Sequence, residues 1–373
     1  MRRLIMPLLF LCLFPVLGAR AESRPGAELR YSKSFSIEYH PGYKLLKVGS
    51  PWPGAQRGYS YVLYRRGTPK PSGIDADCFF EIPLRRVVAL STTYLPQIVE
   101  IGEPNSIVGV AAAAAVSAPE LRARIASGKA FETARNGVPD VELLLSLKPD
   151  AIFAFGMGNE WDQHPKLAEA GLPVVISGEW NETEPLARAE WIKFIAAFYD
   201  KEELASAYFD KVAREYERIR ALATTTKERP RVLVNGPFQG TWAVSGGKSY
   251  MARFLADAGS SYLWAGDPST GGLVLSVEAV YERALKAEVW LNPSLDVNSK
   301  SDVVGLDPRF ASLPAVAAGR VWNNNLRMSP GGGSDYFESA ILNPDRVLVD
   351  LVKIFHPELL ADRSFTYYKN VGR

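Results

Sequence analysis

The sequence predicts an α/β protein of two lobes, each with a mainly parallel sheet, joined by a single long helix and preceded by a β-rich extension. Three observations lead there. Apolar runs such as RVVALSTTYL (86–95) and AIFAFG (151–156) alternate with helical segments over short connections, the pattern of a parallel sheet covered on both faces. A long helical stretch from residue 201 to 223 then interrupts that rhythm. After it, the alternation begins again. The chain has 373 residues, more than one core usually holds, which agrees with two domains.

Residues 1–21 read as a secretory signal peptide. Arg2 and Arg3 make a basic start, Leu4 to Leu17 are almost wholly apolar, and Ala19-Arg20-Ala21 is a small-x-small cleavage site. Cys12 follows Leu9-Phe10-Leu11, which lacks the small residues of a lipoprotein cleavage box, so a soluble exported protein is expected. The mature chain then has 40 basic and 41 acidic residues, with no basic excess to hold nucleic acid or an acidic membrane. Cys78 is its one cysteine, which excludes an intrachain disulfide.

The elements follow in order. Residues 22–84 form the extension, with alternating Phe35, Ile37 and Tyr39 and a His40-Pro41-Gly42 turn pointing to antiparallel strands within 28–66. The first lobe covers 85–186. Its strands are RVVALSTTYL, SIVGVAA, AIFAFG and LPVVIS, and its helices include PQIVEIG, DVELLLSL and HPKLAEAG. Residues 187–226 hold the linking helices: one over LARAEWIKFIAAFY, and a second that Asp200 should cap. In that second helix Leu204, Tyr208, Val212, Tyr216 and Ile219 recur every three or four residues, giving one apolar stripe. Residues 227–373 form the second lobe, with the strands RVLVNGPF, AEVWLN and RVWNNNL and a closing helix after Pro344-Asp345.

The two lobes look like copies. RVLVNGPF mirrors RVVALSTTYL, FLADAG mirrors QIVEIG, and SVEAVYERALKAEVWLN (276–292) mirrors DVELLLSLKPDAIFAFG (140–156). In the last pair Asp140 and Ser276 sit as helix N-caps, and Glu142 and Glu278 follow at the second helical position. Either glutamate alone is accounted for by the positive helix end. Two at matching places put one exposed charge on each lobe, which suits a partner with two similar halves.

The segment VELLLSLKPDAIFAFG, with RVVALSTTYLPQIVEIG before it and LARAEWIKFIAAFY after it, resembles the periplasmic substrate-binding proteins of importers for ferric siderophores, haem and cobalamin. The likeness spans roughly residues 85–356, and its sharpest part is E-x-x-x-x-L-K-P-D. It implies the class III form of that fold, with two lobes on one rigid helix and the ligand between them. It also implies that Glu142 and Glu278 meet an ABC permease dimer in the inner membrane. A monomer in the periplasm, and closure by about ten degrees or less about a helical strut, are expected with it. The extension is not part of the family's minimal pattern.

Ligand should lie at the carboxyl ends of the parallel strands. The candidates there are Thr92, Thr93, Tyr94, Gly156 and Trp180 from the first lobe, and Gln239, Trp242, Asn325 and Arg327 from the second. Hydroxyls, amides and indoles suit a bulky, partly polar organic ligand, and Arg327 leans toward an anionic one. With His40, His164 and His356 far apart, no bare-metal site and no catalytic set is expected. A metal would arrive inside a chelator, and no cofactor is expected. FETARNGVPDVE (131–142) has no Tyr or His where haem-binding relatives tend to place a tyrosine, which leaves a ferric siderophore or a corrinoid. An exported enzyme acting on such a chelate is the competing reading. SGGKS (245–249) lacks the glycine a phosphate loop needs, because position 242 is Trp. SPGGGSDYFES (329–339) reads as a mobile connection.

Overall fold

The computed structural model describes residues 26–373; the expected signal peptide lies outside them. Two separate five-stranded sheets form the lobes. The first runs, edge to edge, Val174–Ile176, Ala151–Ala154, Val87–Ala89, Ile107–Val110 and Phe131–Glu132, all parallel. The second runs Lys369–Asn370, Val321–Asn323, Val289–Leu291, Arg231–Val234 and Ser261–Tyr262, parallel except for the terminal strand Lys369–Asn370. The four strands beginning at 174, 151, 87 and 107 therefore recur in the same spatial order as those beginning at 321, 289, 231 and 261.

The copies share side-chain detail. In the first lobe Arg86 donates from Nε and Nη2 to Leu147 O (3.0 and 2.7 Å), and the Asp150 carboxylate accepts from Arg86 N (3.0 Å). In the second, Arg231 Nε donates to Lys286 O (2.6 Å), and the Glu288 carboxylate accepts from Arg231 N (2.9 Å). Each pair ties the end of a helix to the start of a central strand, satisfying a carbonyl left free at that helix end. The helices start as their sequences require: Asp140 accepts from Leu143 N, and Ser276 accepts from Ala279 N.

Side chains of the short strands alternate between faces. Val88, Val108 and Ile152 pack with Leu144, Leu147 and Leu167 on one face of the first sheet. Val87, Ala89 and Phe153 join the main core on the other, which continues through Trp191, Phe194 and Phe198 into the second lobe. The strut is Glu202–Ala223, about 33 Å at 1.5 Å per residue. Two expectations change here. LARAEWIKFIAAFY is two short helices, Pro185–Ala189 and Ile192–Ala197. Asp200 does not cap the strut; it sits at φ 55° and receives Lys44 Nζ instead. Against the strut packs the closing helix Pro344–Phe355, whose buried Asp350 accepts from the backbone N–H groups of Thr366, Tyr367 and Tyr368 and so holds the terminal strand.

The extension is a four-stranded sheet of Phe35–His40, Tyr43–Val48, Tyr59–Arg65 and Cys78–Ile82. Its last pair is parallel, so it is not wholly antiparallel. Cys78 is half-buried within it. Before the sheet, residues 28–32 lie along the linking helices as a strap. The carboxylate of Glu190, fully buried, accepts from Arg30 N, Tyr31 N and Ser32 N at 2.8–3.0 Å. Lys193 Nζ, also buried, donates to Glu190 (2.9 Å) and to Glu28 O (2.6 Å). Every charge in this pair is matched, which is the condition for burying it. We predict that Glu190→Ala, which strands the Lys193 ammonium, lowers stability by about 3 kcal/mol. Chemical denaturation reads this as a reduced midpoint; an unchanged midpoint would show that the strap is not coupled to the core.

Candidate functional site

The loops that leave the two sheets at their carboxyl ends meet each other. Thr92 follows strand Val87–Ala89, and its hydroxyl donates to Phe337 O of the second lobe (3.3 Å). Ala114 follows strand Ile107–Val110 and accepts from the Ser329 hydroxyl (2.8 Å). Gly331 and Gly333 lie so close to Ala114 and Ala115 that an added Cβ would come within 2.4 and 2.5 Å of their carbonyl oxygens. The segment 329–339, expected to be a mobile connection, is thus an ordered bridge across the cleft, and its glycines are there because the backbones touch.

The sequence-predicted residues divide. Thr92 and Thr93 stand at the cleft, but the Thr93 hydroxyl donates to buried Glu179 (2.7 Å), which also holds Arg188 (3.1 Å). Gly156 and Trp180 are brought together, with Trp180 Nε1 donating to Gly156 O (3.1 Å). Gln239 occupies an exposed hairpin tip at φ 49°, beside Phe238. Three expectations are corrected by burial. Tyr94 packs on Phe153 inside the first lobe. Trp242 has no exposed surface; it packs between Trp290 and Phe310, and its indole donates to Val234 O. Asn325 spends its amide on Leu295 O and Val297 O. Arg327 is half-exposed but paired with Asp335 (3.1 Å), so its preference for an anionic ligand is largely cancelled. Glu142 and Glu278 are both exposed; Arg309 lies 3.6 Å from Glu278, whereas Glu142 has no ion-pair partner among the described residues.

The second-lobe side of the cleft holds a cavity of about 180 Å³ lined by Asn235, Asn292, Asn323 and Asn324 with Tyr336 and Phe337. Asn235 and Asn292 follow neighbouring strands of the second sheet and both take positive φ, a conformation asparagine tolerates better than most residues. A larger groove, about 670 Å³, lies elsewhere, between the strut and the closing helix. Around the strand ends, large apolar side chains face solvent: Phe155, Met157 and Trp161 on the first lobe, Phe238, Leu326 and Phe337 on the second. These are apolar side chains that a ligand between the two sheets could contact. Phe155, Phe238 and Leu326 close strand segments read from the sequence; nothing in the sequence marked Trp161 or Phe337. Among the described residues, no cluster of three or more His, Cys, Asp or Glu could hold a metal ion.

The bridge ends in a carboxylate that sequence reasoning missed. Glu338 of the second lobe accepts from Ser117 N and Ala118 N (2.6 and 2.9 Å), at the amino terminus of the first-lobe helix Pro119–Ala126. It therefore caps a helix of the opposite lobe. Burial pushes its carboxyl up to about 7, against the downward pull of those two N–H groups; Asp335 and Glu120 nearby push it further up.

Residues 87–323 match the family model described as periplasmic binding protein. The chain belongs to that family. It is similar to an uncharacterized lipoprotein of Methanocaldococcus jannaschii, at 26% identity over 91% of this chain and 84% of that protein. Its fold is similar to a periplasmic heme binding protein from Pseudomonas aeruginosa, with a TM-score of 0.55 at 19% identity, covering 74% of this chain and 93% of that one. It is also similar to the periplasmic vitamin B12 binding protein of Vibrio cholerae, with a TM-score of 0.51 at 14% identity, covering 75% and 99%. This periplasmic binding protein is a substrate-binding protein and not an enzyme. Its extension, residues 26–84, lies outside the matched segment.

We predict that the Glu338 contact makes closure depend on pH. Burial raises its carboxyl while the lobes touch, and parting them would expose it and return it toward the ordinary value of 4.5. The closed form then binds its proton more tightly, so closure is favoured as pH falls through 7 and weakened as pH rises. We predict a roughly 40-fold rise in the closing constant between pH 7 and pH 5. Spin labels, one on each lobe, would read it as a shift in the inter-lobe distance distribution. Glu338→Gln, which cannot ionise and can accept only one of the two N–H groups, should close more weakly but without pH dependence; a Gln variant that keeps the wild-type pH dependence would refute the assignment.

Proposed function

We propose that this protein captures a chelated metal, a ferric siderophore foremost, in the cleft between its lobes and delivers it to the ABC permease dimer of an importer. The observation that carries the reading is the composition of the cleft: uncharged amides and exposed apolar side chains at the carboxyl ends of two facing sheets. A metal wrapped in an organic chelator offers the matching surface, with polar atoms for the asparagines and carbon skeleton for Phe155, Trp161 and Phe337. Because Arg327 is already paired, a chelate with little net charge suits the site better than a strongly anionic one. A corrinoid is the second candidate, and the fold shared with a protein that binds vitamin B12 favours it.

On this reading the protein works as a monomer in the periplasm after loss of residues 1–21. Glu142 and Glu278 are its docking points. Both stand on short helices with their carboxylates in solvent, where a permease can reach them. No helix among the described residues is long and apolar enough to cross a membrane.

The absorption spectrum of protein purified from its host tests the cargo, because a ferric siderophore or a corrinoid brings its own visible bands. A colourless protein whose tryptophan fluorescence ignores both classes would reject the reading. For docking, Glu142→Ala combined with Glu278→Ala should abolish uptake while leaving ligand affinity within about twofold of wild type. A double variant that loses affinity instead would place these carboxylates in the ligand site.

A further inference from the structure

We propose that the amino-terminal extension is a wall of the cargo cleft, and that its Trp52 positions the first-lobe loop 155–161 against which cargo packs. The inference deepens the function proposed above and rests on it. The loop at residues 50–54, between the second and third strands of the extension, does not stay with its own sheet. It reaches the carboxyl ends of Ala151–Ala154 and Val174–Ile176, two of the five strands of the first lobe. A Cβ added to Gly156 would lie 2.5 Å from the Trp52 ring, and one added to Gly158 would lie 2.4 Å from its Nε1. A Cβ on Gly178 would lie 3.0 Å from Pro51 Cα. The strand ends carry glycine where the extension sits on them, since any side chain would displace it.

The contact is built on both sides. The Trp52 ring lies 5.5 Å from the ring of His164 and 6.1 Å from that of Tyr59, and the Tyr59 hydroxyl and His164 Nε2 are 3.2 Å apart. Met157 N and Gly158 N both donate to Asp162 (2.7 and 2.8 Å). The indole and that carboxylate both hold the loop, and from it Phe155, Met157 and Trp161 project into solvent.

Anchoring the extension does not require this loop. The strap at Glu190, the Tyr61 hydroxyl that accepts from Ile176 N (2.7 Å), and the Phe80–Phe198 packing already fix the sheet to the first lobe. What residues 50–54 add is cover at the cargo end. With those two strand ends roofed, cargo is left the space bounded by loop 155–161, Thr92, Ala112–Ala115 and the asparagine pocket of the second lobe.

Hydrogen exchange and ligand titration on Trp52→Ala and Trp52→Phe test this, with ferrioxamine B and cyanocobalamin as the probes. In Trp52→Ala, exchange at the Met157 and Gly158 amides should rise at least tenfold, while amides of strand Val289–Leu291 keep their wild-type protection. Affinity for whichever probe binds wild-type protein should fall at least tenfold, and Trp52→Phe, which keeps a ring on the glycines, should recover most of both. Unchanged exchange at Met157 and Gly158, or undiminished affinity, overturns the proposal. If neither probe binds wild-type protein, the cargo assignment fails by itself, and the exchange measurement still decides whether Trp52 holds the loop.

Discussion

The buried pair Glu190 and Lys193 is the interaction on which the arrangement of this molecule depends. Both side chains are almost without solvent contact, and between them they bind three backbone N–H groups and one carbonyl of the strap at residues 28–32. A carboxylate and an ammonium are buried only where every remaining hydrogen-bonding position is filled, so the pair and the strap require each other. The site lies on the linking helices. Fixing the strap there also fixes the start of the extension sheet, which Lys44 ties to the strut through Asp200 and Glu202. The hinge region is therefore a braced assembly, and the strut is one part of it.

Bracing at the hinge changes how the cleft can work. Two lobes with the same strand order face each other through their carboxyl-end loops, and both edges of the space between them are occupied. On one side the bridge 329–339 carries Glu338 onto a helix terminus of the opposite lobe. On the other side Pro51 and Trp52 cover two strand ends. Neither device belongs to the secondary structure of either lobe. The duplicated fold supplies a symmetrical frame, and these two irregular segments make the site asymmetric.

Charge is distributed by the same logic. Groups that would favour an ionic ligand are already engaged: Arg327 by Asp335, Arg188 by Glu179, and Glu338 by two amides. The asparagine pocket itself is lined by neutral side chains. Outside it, Glu142 and Glu278 stay in solvent on equivalent helices. On the proposed function, cargo would be selected by shape and amide contact.

Much of this was legible in the sequence, because it depends on local patterns. Apolar runs and helical periodicity placed four parallel strands of the first lobe and three of the second, but not the strands Phe131–Glu132, Thr241–Ser245, Ser261–Tyr262 and Gly272–Ser276 or the helices Pro119–Ala126 and Lys300–Leu306; Asp140 and Ser276 acted as caps as their positions implied. The duplication was visible as well, down to Glu142 and Glu278. Burial of individual side chains was not legible. Trp242 and Tyr94 follow strand ends as cleft residues do, yet the chain turns them into the core. Glu338, Glu190 and Trp52 owe their roles to partners 221, 160 and more than 100 positions away. Periodicity reports which face of an element is apolar, and so the sequence determined the two lobes, the strut and the exposed glutamates. Only the tertiary structure decided which residues close the cleft, since a contact between loops leaves no period in the chain.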